Sequence, residues 1–155
     1  MKRNSFFLIG PRGVGKTSWL KHEFKDVIWI DLLNDKLYRQ LLARPESLAE
    51  LIANDSSKTV VIDEIQRVPA LLNEIHRQIE SHSRIFIMTG SSVRKLKREK
   101  ANLLAGRAIV IEMNPFGTAL ELEGSFDLKK ALRRGLLPKA YLSESIHFNH
   151  NRSSC

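Results

Sequence analysis

At 155 residues, with 43% hydrophobic and 27% charged residues, the chain has the composition of one folded domain. It lies outside the ranges of disordered segments and of small scaffolds that need covalent staples. A single cysteine, Cys155, excludes an internal disulfide and fits a reducing compartment, while the net charge of +8 asks for an acidic partner without choosing among nucleotide, nucleic acid and anionic lipid.

In chain order, the first predicted element is a strand over Ser5 to Ile9. With Met1-Lys2-Arg3 before it this apolar run imitates an export signal, but Gly10-Pro11-Arg12 stops it too early. No later stretch reaches the roughly 20 apolar residues of a membrane span, so no integral membrane protein is expected, and the reducing compartment that the lone cysteine fits is taken as the cytoplasm. A helical segment is expected to start near Gly15, followed by a second strand over Val27 to Asp31. Leu37, Leu41 and Leu42 predict one short helix, and Leu48, Leu51 and Ile52 predict another that begins just after Pro45. Thr59 to Asp63 reads as the third strand, and Leu71, Leu72, Ile75 and Ile79 fall on one face of a helix entered through Pro69. Arg84 to Thr89 and Ala108 to Glu112 complete five strands. Their nearly continuous apolar character predicts a parallel sheet covered on both faces, and Trp19 and Trp29 read as core. Beyond Asn114-Pro115 one more helix is expected around Phe126, Leu128, Ala131 and Leu132, and residues 143–155 read as a polar, frayed tail after a core of residues 1–142.

Gly10-Pro11-Arg12-Gly13-Val14-Gly15-Lys16-Thr17 fits G-x-x-x-x-G-K-[ST], the Walker A pattern, between a strand and a helical segment. Triphosphate oxygens need several converging N–H groups, and glycines let the backbone curl around them. The following helix adds unpaired amides and partial positive charge, so residues from Gly10 to Ser18 are expected to cradle ATP. Lys16 would reach the β- and γ-phosphates and Thr17 would offer a hydroxyl to Mg²⁺. Alone, such a pattern can be an ordinary turn.

A second motif weighs against the ordinary turn. Val60-Val61-Ile62-Asp63-Glu64 is a buried-strand run ending in two carboxylates, the Walker B pattern, roughly 45 residues past the loop lysine. Asp63 would hold the Mg²⁺ shell and Glu64 would orient or deprotonate the attacking water. Neither an Asp-x-x-Gly switch nor an Asn-Lys-x-Asp base reader is found, which favours adenine over guanine.

Four segments resemble the AAA+ ATPases, in particular the predicted prokaryotic group with a short ATPase core and a separate C-terminal domain. They are the loop, Asp63-Glu64-Ile65-Gln66-Arg67-Val68-Pro69, Thr89-Gly90-Ser91-Ser92 and Leu104-Ala105-Gly106-Arg107, in the family's order. The resemblance implies a three-layer α/β/α fold with strand order 5-1-4-3-2, a sensor hydroxyl at Ser91 or Ser92, and an arginine finger at Arg107 that completes a neighbouring subunit's site. It also implies a lid domain that this sequence lacks, ending where the family's C-terminal domain should begin, as a truncated chain would.

The expected activity is therefore Mg²⁺-dependent ATP hydrolysis, with a homo-oligomer or a C-terminal partner domain as the implied company. The rival readings are an ATP-binding switch or remnant without appreciable chemistry, a fragment of a nucleic-acid-dependent motor and, more weakly, a small-molecule kinase without an acceptor motif. Val93 to Lys100, with five cations and one anion, supports nucleic acid only as far as a charge run does, since no helix-turn-helix or stacking platform accompanies it. His147, His150 and Cys155 are too few for a structural zinc site.

Overall fold

The computed structural model describes residues 4–91 and 107–115, together with Leu104, Asp127, Ala131 and residues 136–138. The chain divides into two compact units, Met1–Asn114 and Pro115–Cys155, and the elements with described bounds belong to the first. In order they are β1 (Ser5–Ile9), α1 (Lys16–Glu23), β2 (Ile28–Asp31), α2 (Asp35–Ala43), α3 (Ser47–Ala53), β3 (Thr59–Asp63), a 3₁₀ turn (Ile65–Arg67), α4 (Leu71–His82), β4 (Ile85–Gly90) and β5 (Ala108–Glu112). The strands form one parallel sheet in the order β2-β3-β4-β1-β5, the expected 5-1-4-3-2 arrangement.

Alternation along the strands sorts the core into two layers. Phe7, Val60, Ile62, Phe86 and Met88 face α2, α3 and α4, meeting Leu41, Leu48, Ile52, Leu71 and Ile75. Leu8, Val61 and Ile87 point to the other face, where Leu20 of α1 covers them. Each such side chain contributes about 1.5–3 kcal/mol when fully buried, which holds the helices against the sheet more firmly than their local propensity would. Local signals fix where elements begin: the Asn34 side chain accepts from the Lys36 and Leu37 N–H groups and caps α2. The Arg84 guanidinium binds the carbonyls of Ile52 and Ser57, at 2.9 Å each, and ties the α3–β3 connection to the start of β4.

The two short helices stand where the leucines predict them, with Leu42 and Leu51 exposed beside the stripe that Leu41, Leu48 and Ile52 bury. Three expectations need correction. Trp19 is 39% exposed and packs edge-on against Phe24, 6.2 Å between ring centroids. Trp29 is half-buried, packed against the layer of Leu8, Leu20, Val61 and Ile87 with the Lys21 ammonium of α1 5.2 Å from its ring. Ile109, Val110 and Ile111 of β5 are exposed, Ile109 by 53%, so continuous apolar character does not there signify cover on both faces; among the described residues β5 pairs with β1 alone.

Of the helix expected around Phe126, only Asp127 and Ala131 are described; Ala131 is helical and its N–H reaches the Asp127 carbonyl at 2.8 Å. Ser92, the basic run from Val93 to Lys100 and residues 143–155, with His147, His150 and Cys155, lie outside the described residues. No described helix is long and apolar enough to cross a membrane.

Candidate nucleotide-binding site

Because every strand runs the same way, the C-terminal ends of β1, β3 and β4 open on one edge of the sheet, where ligands bind in open α/β folds. Register brings the motifs together there: Ile9 stands beside Gly90, and Ile62 beside Met88, so Asp63 and Thr89 follow on adjacent strands.

The loop leaving β1 is pinned at its root, where the Gly10 N–H donates to the Gly90 carbonyl at 3.2 Å. Gly10 also lies so close to the Met113 backbone that a Cβ would overlap its carbonyl oxygen. Gly13 and Gly15 supply the curl instead, with φ of 81° and 98°, a region that L side chains seldom adopt. Between them Val14 turns inward and is buried, while Pro11, Arg12 and Gly13 form the exposed tip. Gly15 is the N-cap of α1 and has no side chain to occupy the first-turn amides of Lys16, Thr17 and Ser18, which favours an anion at that end.

Lys16 is buried and folds back on its own loop, donating from Nζ to the Gly10 carbonyl at 2.7 Å and to the Pro11 carbonyl at 2.9 Å. Desolvation lowers its pKa from 10.5; the charges of Glu64 and Asp63 oppose that shift, and Arg12 adds to it. Carbonyl dipoles compensate a buried ammonium weakly, so a phosphate would be a better partner than the two the lysine has.

Asp63 is 5% exposed and both its oxygens are engaged. Thr17 Oγ1 donates to Oδ2 at 2.9 Å, and Thr89 Oγ1 donates to Oδ1. The Thr89 oxygen in turn accepts the Glu64 N–H at 3.0 Å, so this one buried hydroxyl links both acidic residues. Glu64 holds φ 61° and ψ 46°, a left-handed conformation that costs a residue with a Cβ about 1–2 kcal/mol. That conformation turns the chain sharply out of β3 into the 3₁₀ turn and leaves the carboxylate half-buried at the sheet edge. Such strain collects at functional sites. Gln66, in that turn, donates from Nε2 to Glu64 Oε2 and over a long 3.4 Å to Ser91 Oγ. Its Oε1 is buried without a partner among the described residues, an arrangement worth roughly 1–3 kcal/mol of lost stability.

The structure thus gathers Gly10, Gly13, Gly15, Lys16, Thr17, Asp63, Glu64 and Ser91 at one edge; Ser18 is on the exposed side of α1. Arg107 is elsewhere. It precedes β5, whose Ala108 pairs with Ser5 at the opposite end of β1, and its guanidinium bonds Glu80 at 2.7 Å. Thr89 and Gln66 have no assigned role in the sequence motifs. The strand alignment behind Thr89 could have been inferred from adjacent β3 and β4, whereas nothing in the sequence marks Gln66 as buried.

The sheet, the loop between β1 and α1, and the acidic end of β3 define a P-loop nucleotide-binding domain of the ATPase type. The family described as AAA domain matches residues 2–119, and the chain belongs to it. No curated protein matches the sequence.

Proposed function

We propose that this chain binds ATP together with Mg²⁺ and hydrolyses it to ADP and phosphate in the cytoplasm. The observation that carries this reading is the convergence of four motif side chains: Lys16 waiting on its loop carbonyls, Thr17 bonded to Asp63, and Glu64 next along the chain. In this reading Gly10 to Ser18 wrap the phosphates, Lys16 exchanges its carbonyl partners for the β- and γ-phosphate oxygens, and Glu64 takes a proton from the attacking water. The water oxygen bonds the γ-phosphorus as the bond from that phosphorus to the β-bridging oxygen breaks, leaving ADP.

Mg²⁺ fits the donors present. Thr17 Oγ1 and Asp63 Oδ2 are hard oxygen ligands in contact, and two are too few for an all-protein cage, as suits an ion shared with substrate phosphates. When bound, the ion neutralises charge on the phosphates. Ser91 is proposed as the sensor hydroxyl, residues 1–142 as the ATPase core, and Arg107 as a finger toward a neighbouring copy.

The deciding experiment is ATP turnover with Mg²⁺ for the parent, Lys16→Ala and Glu64→Gln, with nucleotide binding on the same samples. Hydrolysis predicts that both variants lose turnover and that Glu64→Gln keeps binding. Binding without turnover in the parent would leave a nucleotide switch. No binding would refute both.

A further inference from the structure

Hydrolysis as proposed leaves Gln66 without a task, yet its surroundings are specific. At 6% exposure its carboxamide is nearly sealed, with two donor hydrogens and two acceptor lone pairs to satisfy. The donors are directed to Glu64 Oε2 and Ser91 Oγ, while Oε1 has no partner among the described residues. Turning the amide over would press its oxygen against the Glu64 carboxylate, so electrostatics fixes the orientation and with it the unmatched oxygen. That oxygen faces Gly90, where a Cβ would stand 2.8 Å away, so the glycine leaves room for the amide in this position. A methionine or leucine would fill the same space and bury no unmatched acceptor. What the glutamine adds is a bridge: one amide joins the carboxylate that follows β3 to the hydroxyl that follows β4.

We propose that Gln66 is a positioning residue, which aims the Glu64 carboxylate from the Ser91 side of the cleft. Glu64 stands on a strained backbone at a turn, and its side chain would otherwise sample several rotamers at the sheet edge. Holding it in one of them removes an ordering step from the reaction. The inference rests on the hydrolysis reading, because an aimed base needs a proton to accept. Gln66 acts through Glu64 and touches no reacting atom.

The test uses the full chain and compares the parent, Gln66→Met, Gln66→Glu, Glu64→Gln and the double variant Gln66→Met/Glu64→Gln. ATP turnover is measured, as single turnovers with enzyme in excess where it is slow, alongside ATP affinity and melting temperature. Methionine conserves volume and removes the donors; glutamate conserves shape and sets like charges together. The expected result is a kcat lowered about tenfold by Gln66→Met and further by Gln66→Glu, with ATP affinity within about twofold of the parent. In the Glu64→Gln background, Gln66→Met has no further effect on the residual rate, because both changes act on one carboxylate. Parent-like turnover in Gln66→Met would overturn the inference, as would a tenfold loss that persists in the Glu64→Gln background or that follows a fall in melting temperature. If the parent has no turnover, or Glu64→Gln turns over like the parent, the hydrolysis reading itself fails and takes this inference with it; an active parent, an inactive Glu64→Gln and an active Gln66→Met sink the inference alone.

Discussion

Thr17 Oγ1 and Asp63 Oδ2, 46 positions apart in the chain, meet at 2.9 Å across the mouth of the cleft. The contact joins the first turn of α1 to the end of β3, and it sets a hydroxyl and a carboxylate where one small cation could take both. Asp63→Asn keeps an oxygen that accepts from Thr17 and removes the charge. We expect metal-free ATP to bind Asp63→Asn about as tightly as the parent, and the gain in affinity on adding Mg²⁺ to shrink by about tenfold, or about 1.4 kcal/mol. Titration of ATP into both proteins with EDTA and with Mg²⁺ measures this, and an unchanged Mg²⁺ gain would remove Asp63 from the metal's shell.

Two loop glycines are required for different reasons, and their alanine variants should part accordingly. At Gly10 a new methyl would run into the Met113 backbone, which cannot step aside as a side-chain tip can. An overpacking cost of about 1–3 kcal/mol follows, with the root of the loop displaced. At Gly15 there is open space and the obstacle is the φ of 98°, which costs about 1–2 kcal/mol without a clash. Denaturant unfolding should show Gly10→Ala to be at least as destabilised as Gly15→Ala, and a Gly10→Ala midpoint equal to the parent's would mean that the Met113 contact yields.

The pH dependence of binding follows from Lys16. Burial lowers its pKa from 10.5 in the free folded chain, so between that lowered value and 10.5 the unfolded chain holds more protons. Folding penalises the charged lysine below that window, and stability gains from this group as pH rises through it. Phosphate acts in the opposite direction, favouring the ammonium. ATP affinity should therefore fall as pH climbs through the lowered value, by up to about tenfold per pH unit. Lys16→Arg, whose side chain stays charged, should flatten the profile at pH below 10.5, provided that it still binds. A parent profile flat over that range would contradict the account.

Much of this was legible in the sequence, and the exceptions share a cause. β1, β3 and β5 have the expected limits, and the glycine-lysine loop and the acidic pair fall at strand ends because such residues have few other uses beside an apolar run. Helical spacing placed Leu71, Leu72 and Ile75 correctly in α4, but it could not separate Leu41 from Leu42, since neighbouring leucines look alike until the stripe has a partner. Neither could composition tell that Ile109, Val110 and Ile111 would be exposed, nor that Trp19 would fall on the exposed side of α1. Thr89 was readable only through the alignment of β3 with β4, and nothing in the sequence marks Gln66 as buried.

The distinction between a stripe and its neighbour is measurable. Ile75 is fully buried and Leu42 is half-exposed. Truncation of Ile75 to alanine should cost about 2–5 kcal/mol, and the same change at Leu42 about 0.5 kcal/mol or less. Urea unfolding of both variants checks this, and comparable losses would mean that Leu42 has a partner when the chain is in solution.

Arg107 and Glu80 decide whether the site is complete in one copy. Arg107 precedes Ala108, the residue paired with Ser5, whereas the phosphate loop follows Ile9; four residues of β1 separate the two ends, about 13 Å at strand rise. A nucleotide held by the phosphate loop would lie at the far edge of the sheet, so the proposed finger would act in a neighbour's site. The pair with Glu80 is solvent-accessible on both sides and worth about 0–1 kcal/mol, so Arg107→Ala should barely change stability. If the finger operates, turnover per chain should rise with protein concentration as copies assemble, and Arg107→Ala should abolish that rise while binding ATP normally. Mixing separates the roles further: Arg107→Ala added to Lys16→Ala should recover activity, because one supplies an intact loop and the other an intact arginine. Parent turnover independent of concentration and unchanged in Arg107→Ala would leave the arginine as a surface partner of Glu80 and nothing more.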